Sequence, residues 1–130
     1  MNEMVDHTIT HFEIPADDVD RLRKFYSSLF GWVFEEAPGQ EGYWMIQTVP
    51  IGEKGGPAGA GVNGGLKKRT LPDEGVTNYI SVESVDEYCT RVVELGGEVV
   101  VPKQEVLFMG WFALVADPEE NRFAIWQDVD

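Results

Sequence analysis

Residues 7–31 read His-Thr-Ile-Thr-His-Phe-Glu-Ile-Pro-Ala-Asp-Asp-Val-Asp-Arg-Leu-Arg-Lys-Phe-Tyr-Ser-Ser-Leu-Phe-Gly, and two periodicities follow one another inside them. From His7 to Ile14 the side chains alternate: Thr8, Thr10, Phe12 and Ile14 share one face of a strand, and His7, Ile9, His11 and Glu13 the other. Pro15, which cannot donate to a ladder, is expected to end the strand. Asp17 or Asp18 then offers an N-cap carboxylate. Val19, Leu22, Phe25 or Tyr26, and Leu29 recur at helical spacing until Gly31 supplies a left-handed stop.

Residues 32–34, 43–49 and about 61–66 read as three further strands, with a flexible glycine-rich loop over 52–61. Then the pattern restarts. Residues 76–82 form a strand, and Ser84 with Glu87 makes a capping box. A helix follows with Val85, Cys89 and Val92 on one face and Gly96 at its end. Residues 99–101, roughly 107–116, and 122–127 give three more strands, and Asp117-Pro-Glu-Glu-Asn121 is a turn by composition. Ile14, Val19, Gly31 and Phe34 stand 66, 66, 65 and 65 residues before Ile80, Val85, Gly96 and Val99. A drift of one residue over that span points to a duplicated βαβββ module, 7–66 and 76–127, within one domain of residues 1–130.

The 130 residues suit a single domain, and 43% apolar with 25% charged residues excludes a disordered chain. No apolar run reaches the ~20 residues of a membrane helix. The first residues lack the basic and apolar regions of a signal peptide, so a cytoplasmic location is expected. Ten basic against 23 acidic residues leave a net charge of −13. Nucleic acid and anionic membranes are therefore not expected as partners, whereas a cationic small molecule is favoured by the field. The basic cluster Lys67-Lys68-Arg69 reads as a solvated turn. Cys89 excludes an intramolecular disulfide and a cysteine-rich zinc site and reads as a helix core residue. No nucleophile elbow, dinucleotide fingerprint or phosphate loop is present.

Several of these residues together resemble the vicinal-oxygen-chelate superfamily of glyoxalases, bleomycin-resistance proteins and extradiol dioxygenases. They are His11-Phe-Glu-Ile-Pro-Ala-Asp-Asp18, Phe25-Tyr26, Leu29-Phe-Gly-Trp32, Val85-Asp86, Leu95-Gly-Gly97 and Asp117-Pro-Glu-Glu-Asn121. Together with the paired βαβββ order they cover about residues 7–127. The resemblance implies an α+β fold: two βαβββ modules forming a curved, cup-shaped mixed sheet with helices outside. It also implies a homodimer, with the cup formed within one chain or across two.

Metal-dependent members resemble one another in placing ligands on the first and last strands of each half, and an open catalytic site needs about three of them. His11 matches the first position. Its counterpart by the repeat offset is Thr77, residues 59–66 offer only Asn63 toward the cup, and Ala124 stands where such members carry glutamate. No metal and no cofactor is therefore expected. Glu13 beside His11, with His7 four residues further back and Asn63, is the one arrangement that could still hold an ion.

What the cup is expected to present is His11, Glu13, Asn63, Thr77, Tyr79, Trp111, Ala124 and Trp126 as ligand-binding residues. The small Ala124 would make space, and aromatic walls would flank a polar pair. Three readings follow. The first is a metal-free binder of a small, planar or cationic molecule. The second is a metal-independent lyase or isomerase acting on a small carbonyl compound, with His11 as general base oriented by Glu13. The third is a dimeric interaction module with a vestigial cup.

Overall fold

The structure, a computed structural model, describes residues 6–53 and 60–129. Most of the glycine-rich loop expected over 52–61 lies outside the described residues. Two compact units are present. One is His11–Val76; the other runs from Thr77 onward and includes the described residues up to Thr10.

The first unit holds β1 (Ile9–Ala16) from His11 onward, α1 (Val19–Phe30), β2 (Val33–Glu36), β3 (Tyr43–Gln47) and β4 (Gly64–Lys68). Its strands lie in the order β2-β3-β4-β1, with β1 parallel to β4 and the other pairs antiparallel. β1 runs through Pro15 rather than ending there. The Ala16 carbonyl accepts from Arg69 N–H at 2.8 Å, so even-numbered residues bond to β4 and the N–H that Pro15 lacks would face away from it. β4 begins later than expected and takes in Lys67 and Lys68, so the basic cluster is not a simple solvated turn. Lys67 pairs with Glu74 at 2.9 Å, and Arg69 pairs with Asp17 at 3.0 Å.

The second unit holds β5 (Thr77–Ser81), α2 (Val85–Glu94), β6 (Glu98–Val106), β7 (Gly110–Ala116) and β8 (Arg122–Asp128). The order is β5-β8-β7-β6, with β5 parallel to β8 and the rest antiparallel. Residues 107–109 were expected to open β7 because they are apolar; they form the turn between β6 and β7 instead. Phe108 sits there at φ 68° and is 86% exposed.

Local chemistry sets the helix ends. Asp18 accepts from Arg21 N–H at 3.1 Å, and Gly31, at φ 73°, closes α1 with its N–H on the Ser27 carbonyl. Ser84 caps α2 through Glu87 N–H at 3.1 Å, as the capping spacing requires. Replacing this cap removes the partner of an orphan backbone donor, so Ser84→Ala is expected to cost about 1 kcal/mol of stability, read as a shifted urea midpoint at unchanged slope. Among the described residues no helix is long and apolar enough to cross a membrane.

Each helix covers one face of its own sheet. Val19, Leu22 and Tyr26 of α1 pack on Ile14, Ala16, Ile46 and Leu66. Val85, Tyr88, Cys89 and Val92 of α2 pack on Val82, Ala113, Val115 and Ile125. Cys89 is thus a core residue, and burial pushes its thiol pKa up.

Candidate functional site

Because Phe12, Ile14 and Ala16 turn toward α1, strand alternation turns His11 and Glu13 to the opposite, helix-free face of the first unit. The same logic applies on β3, where Trp44 and Ile46 face the helix and Tyr43 and Met45 do not. On β4, Leu66 faces the helix and Gly65 lies on the other face, in register with Glu13 on one side and Met45 on the other.

Three side chains meet on that face. The Tyr43 hydroxyl lies 2.9 Å from His11 Nε2 and donates to Glu13 Oε2 at 3.0 Å. A carboxylate only accepts and a phenol has one proton to give. With the phenol proton given to Glu13, His11 donates from Nε2 to the Tyr43 oxygen as its Nε2–H tautomer. The result is a directed chain, His11 to Tyr43 to Glu13, and all three residues are half-buried.

What lets Tyr43 reach across β4 is a missing side chain. A Cβ built on Gly65 would overlap the Tyr43 hydroxyl and ring edge. Tyr43 was not among the candidates read from sequence. The available signal was the pair Gly64-Gly65 inside a strand, which marks close approach of another group.

Burial pushes the His11 imidazole pKa below its usual 6.5, and the neighbouring Glu13 charge pulls it partly back. The folded state then binds the proton less well than the unfolded chain. The stability carried by neutral His11 is complete above about pH 6.5 and is lost as pH falls from there toward the folded pKa. Wild type should therefore lose more stability than His11→Gln on going from about pH 7 to 5. Urea midpoints across that range give the check; parallel curves would rule the linkage out.

The other expected residues divide. Asn63 does not reach the triad: its Oδ1 accepts from Thr48 N–H at 2.8 Å and Val49 N–H at 3.0 Å, tying down the chain after β3. His7 is engaged elsewhere, 3.2 Å from Glu83 and 3.0 Å from the Tyr88 hydroxyl. In the second unit, Tyr79 and Ala124 are in register, and Ser81 with Trp126. These residues and Thr77 share the helix-free face there. The Tyr79 ring lies 6.5 Å from Trp126 and 6.2 Å from Phe112. Trp111 is on the wrong face for a ligand wall: it packs against the α2 core, with Lys103 Nζ 5.3 Å from its ring centre.

A divalent ion of the kind that metal-dependent members of the resembled superfamily hold needs about three converging ligands. Among the described residues no three His, Cys, Asp or Glu side chains converge. The point on which His11 and Glu13 do converge holds the Tyr43 oxygen. These residues do not fit such an ion.

Two βαβββ modules, each with a helix on one face of its sheet, are the architecture of the glyoxalase and bleomycin-resistance class. The comparisons agree. The Bleomycin resistance protein-like N-terminal family matches residues 8–49. A glyoxylase-like domain-containing protein of Didymella fabae is 32% identical over 122 residues, covering 90% of this chain and 91% of that one. The putative glyoxylase CFP32 of Mycobacterium tuberculosis is 28% identical over 116 residues, covering 88% of this chain and 43% of its own. The anthracycline biosynthesis protein DnrV of Streptomyces peucetius is 29% identical over 125 residues, 89% of this chain and 45% of that protein. This chain thus spans less than half the length of the latter two relatives. A glyoxalase/bleomycin resistance protein/dioxygenase superfamily member from Vibrio splendidus shares the fold, with a TM-score of 0.63 at 16% identity over 95% of this chain and 100% of that one. The chain belongs to the glyoxalase/bleomycin-resistance (vicinal-oxygen-chelate) superfamily.

Proposed function

We propose that this protein binds a small, planar or cationic organic molecule against the helix-free face of its first module, with Glu13 as charge partner and no metal as anchor. The observation that carries the reading is the hydrogen-bonded chain His11–Tyr43–Glu13. It holds a carboxylate in a half-buried, fixed orientation beside a phenol ring. A net charge of −13 adds a field that draws cations in. The naming of one relative for anthracycline biosynthesis favours a planar aromatic ligand. Titration with daunorubicin, a planar anthracycline bearing an amine, and with the small aromatic cation proflavine tests this. Saturable tryptophan quenching without turnover is the expected result.

The directed chain also favours a second reading. Once the bare Nδ1 of His11 takes a proton from a carbonyl substrate, the Nε2 proton can pass through Tyr43 to Glu13, a relay suited to an isomerase or lyase step. Turnover whose rate breaks below the ordinary histidine pKa, and which disappears in His11→Ala, would select this reading over plain binding.

A cytoplasmic homodimer completes the proposal. Phe25, Leu29, Phe30 and Val33 are 53%, 57%, 59% and 54% exposed, apolar side chains that a second chain would cover. A monomer mass in sedimentation equilibrium would remove that part.

A further inference from the structure

We infer that the Tyr43 hydroxyl is the built-in occupant of the point where His11 and Glu13 converge, standing where a divalent cation would otherwise be held, and that Gly65 is the residue that admits it. The inference uses the same triad as the proposed function, but it does not depend on any ligand being found.

Two potential ligands on one strand face, an imidazole and a carboxylate, aim at a single oxygen atom from 2.9 and 3.0 Å. That is a hydrogen-bonding separation, about 0.8 Å longer than a metal–ligand bond to nitrogen or oxygen. Small side-chain movements would therefore let both close on an ion if the phenol were gone. The phenol stays because its path is clear: Gly65, buried in β4, presents no Cβ beneath it, and any larger residue would collide with the hydroxyl. The hydroxyl also dictates protonation. By giving its proton to Glu13 it requires His11 to carry hydrogen on Nε2, the nitrogen a cation would need bare. Tyr43 therefore opposes a cation twice, by filling the position and by selecting the wrong tautomer.

Removing the side chain should uncover a weak cation site. Tyr43→Phe would not, because the ring would still crowd the position; Tyr43→Ala clears it. The experiment is a Co²⁺ titration, by calorimetry and visible absorption, of wild type, Tyr43→Ala, and Tyr43→Ala combined with His11→Ala. Tyr43→Ala is expected to take up Co²⁺ roughly tenfold or more tightly than wild type, and the gain to vanish when His11 is also removed. Equal affinity in wild type and Tyr43→Ala overturns the inference, and so does a gain that survives the loss of His11.

Should Tyr43→Ala fail to fold, wild type itself gives the readout. Side-chain ¹⁵N spectra of the two histidines, separated by comparison with His7→Gln, should show His11 protonated on Nε2. Protonation on Nδ1 overturns the inference. Failure to find any small-molecule ligand would defeat the proposed function and leave these results unchanged, so the two failures are distinguishable.

Discussion

Leu66→Ala is expected to lower stability by about 2–5 kcal/mol, the range for cavities left by deleted core leucines. Leu66 is fully buried at the centre of the first module's core, in register with Ile14 on β1 and Trp44 on β3. α1 covers it through Val19, Leu22 and Tyr26. These neighbours are held by two strand pairings and a helix, so the site has little freedom to collapse, which places the cost toward the upper end. Against a total of ~5–15 kcal/mol for a domain, much of the protein's stability would go. The consequence reaches the site as well. Leu66 anchors β4 from the helix side while Gly65, next in the chain, supports Tyr43 on the other. Loosening the strand should blur the His11–Tyr43–Glu13 geometry before the domain unfolds. Urea unfolding reads the first effect; a loss smaller than about 1 kcal/mol would mean that the described packing is not the one in solution.

Glu13→Gln is expected to weaken binding of a cationic aromatic probe by roughly 10- to 100-fold. A hydrogen bond or ion pair to a charged group is worth about 1.5–3 kcal/mol, and each 1.4 kcal/mol is tenfold in affinity. The substitution keeps the shape and removes the charge. It also lets the amide oxygen accept from Tyr43, so the triad need not fall apart. An uncharged planar probe should therefore lose much less affinity than a cationic one, and that contrast separates a lost charge from a damaged site. Equal losses for both probes would point to damage.

Much of this architecture is legible in the chain because its local signals are strong. The alternation from His7 to Ile14 places His11 and Glu13 on one face, and the core confirms the parity through Phe12 and Ile14. Asp18, Gly31 and Ser84 mark helix ends with side-chain or backbone chemistry that acts within four residues. What was not legible depends on register between distant strands. On β3, Tyr-Trp-Met-Ile-Gln offers large residues to both faces, so alternation alone could not say that Tyr43 lies with His11. Pairing with β4 decides it. β7 is a continuous apolar run, Trp-Phe-Ala-Leu-Val-Ala, and such a run carries no period from which the facing of Trp111 could be read. The apolar Leu107-Phe108-Met109 extended that run by composition, yet it is the turn. Asn63 was placed by its strand position, but its carbonyl oxygen is better used holding the backbone of Thr48 and Val49 than facing a ligand.

The proposed function turns on where a small molecule binds. The direct measurement is a two-dimensional ¹H–¹⁵N and ¹H–¹³C NMR titration of the labelled protein with daunorubicin. Saturable shifts centred on His11, Glu13, Tyr43 and Gly65 are expected, with the His11 ring signals moving most. Saturable shifts confined to the outer surface of α1, or none around His11 at saturation, would contradict the proposed function.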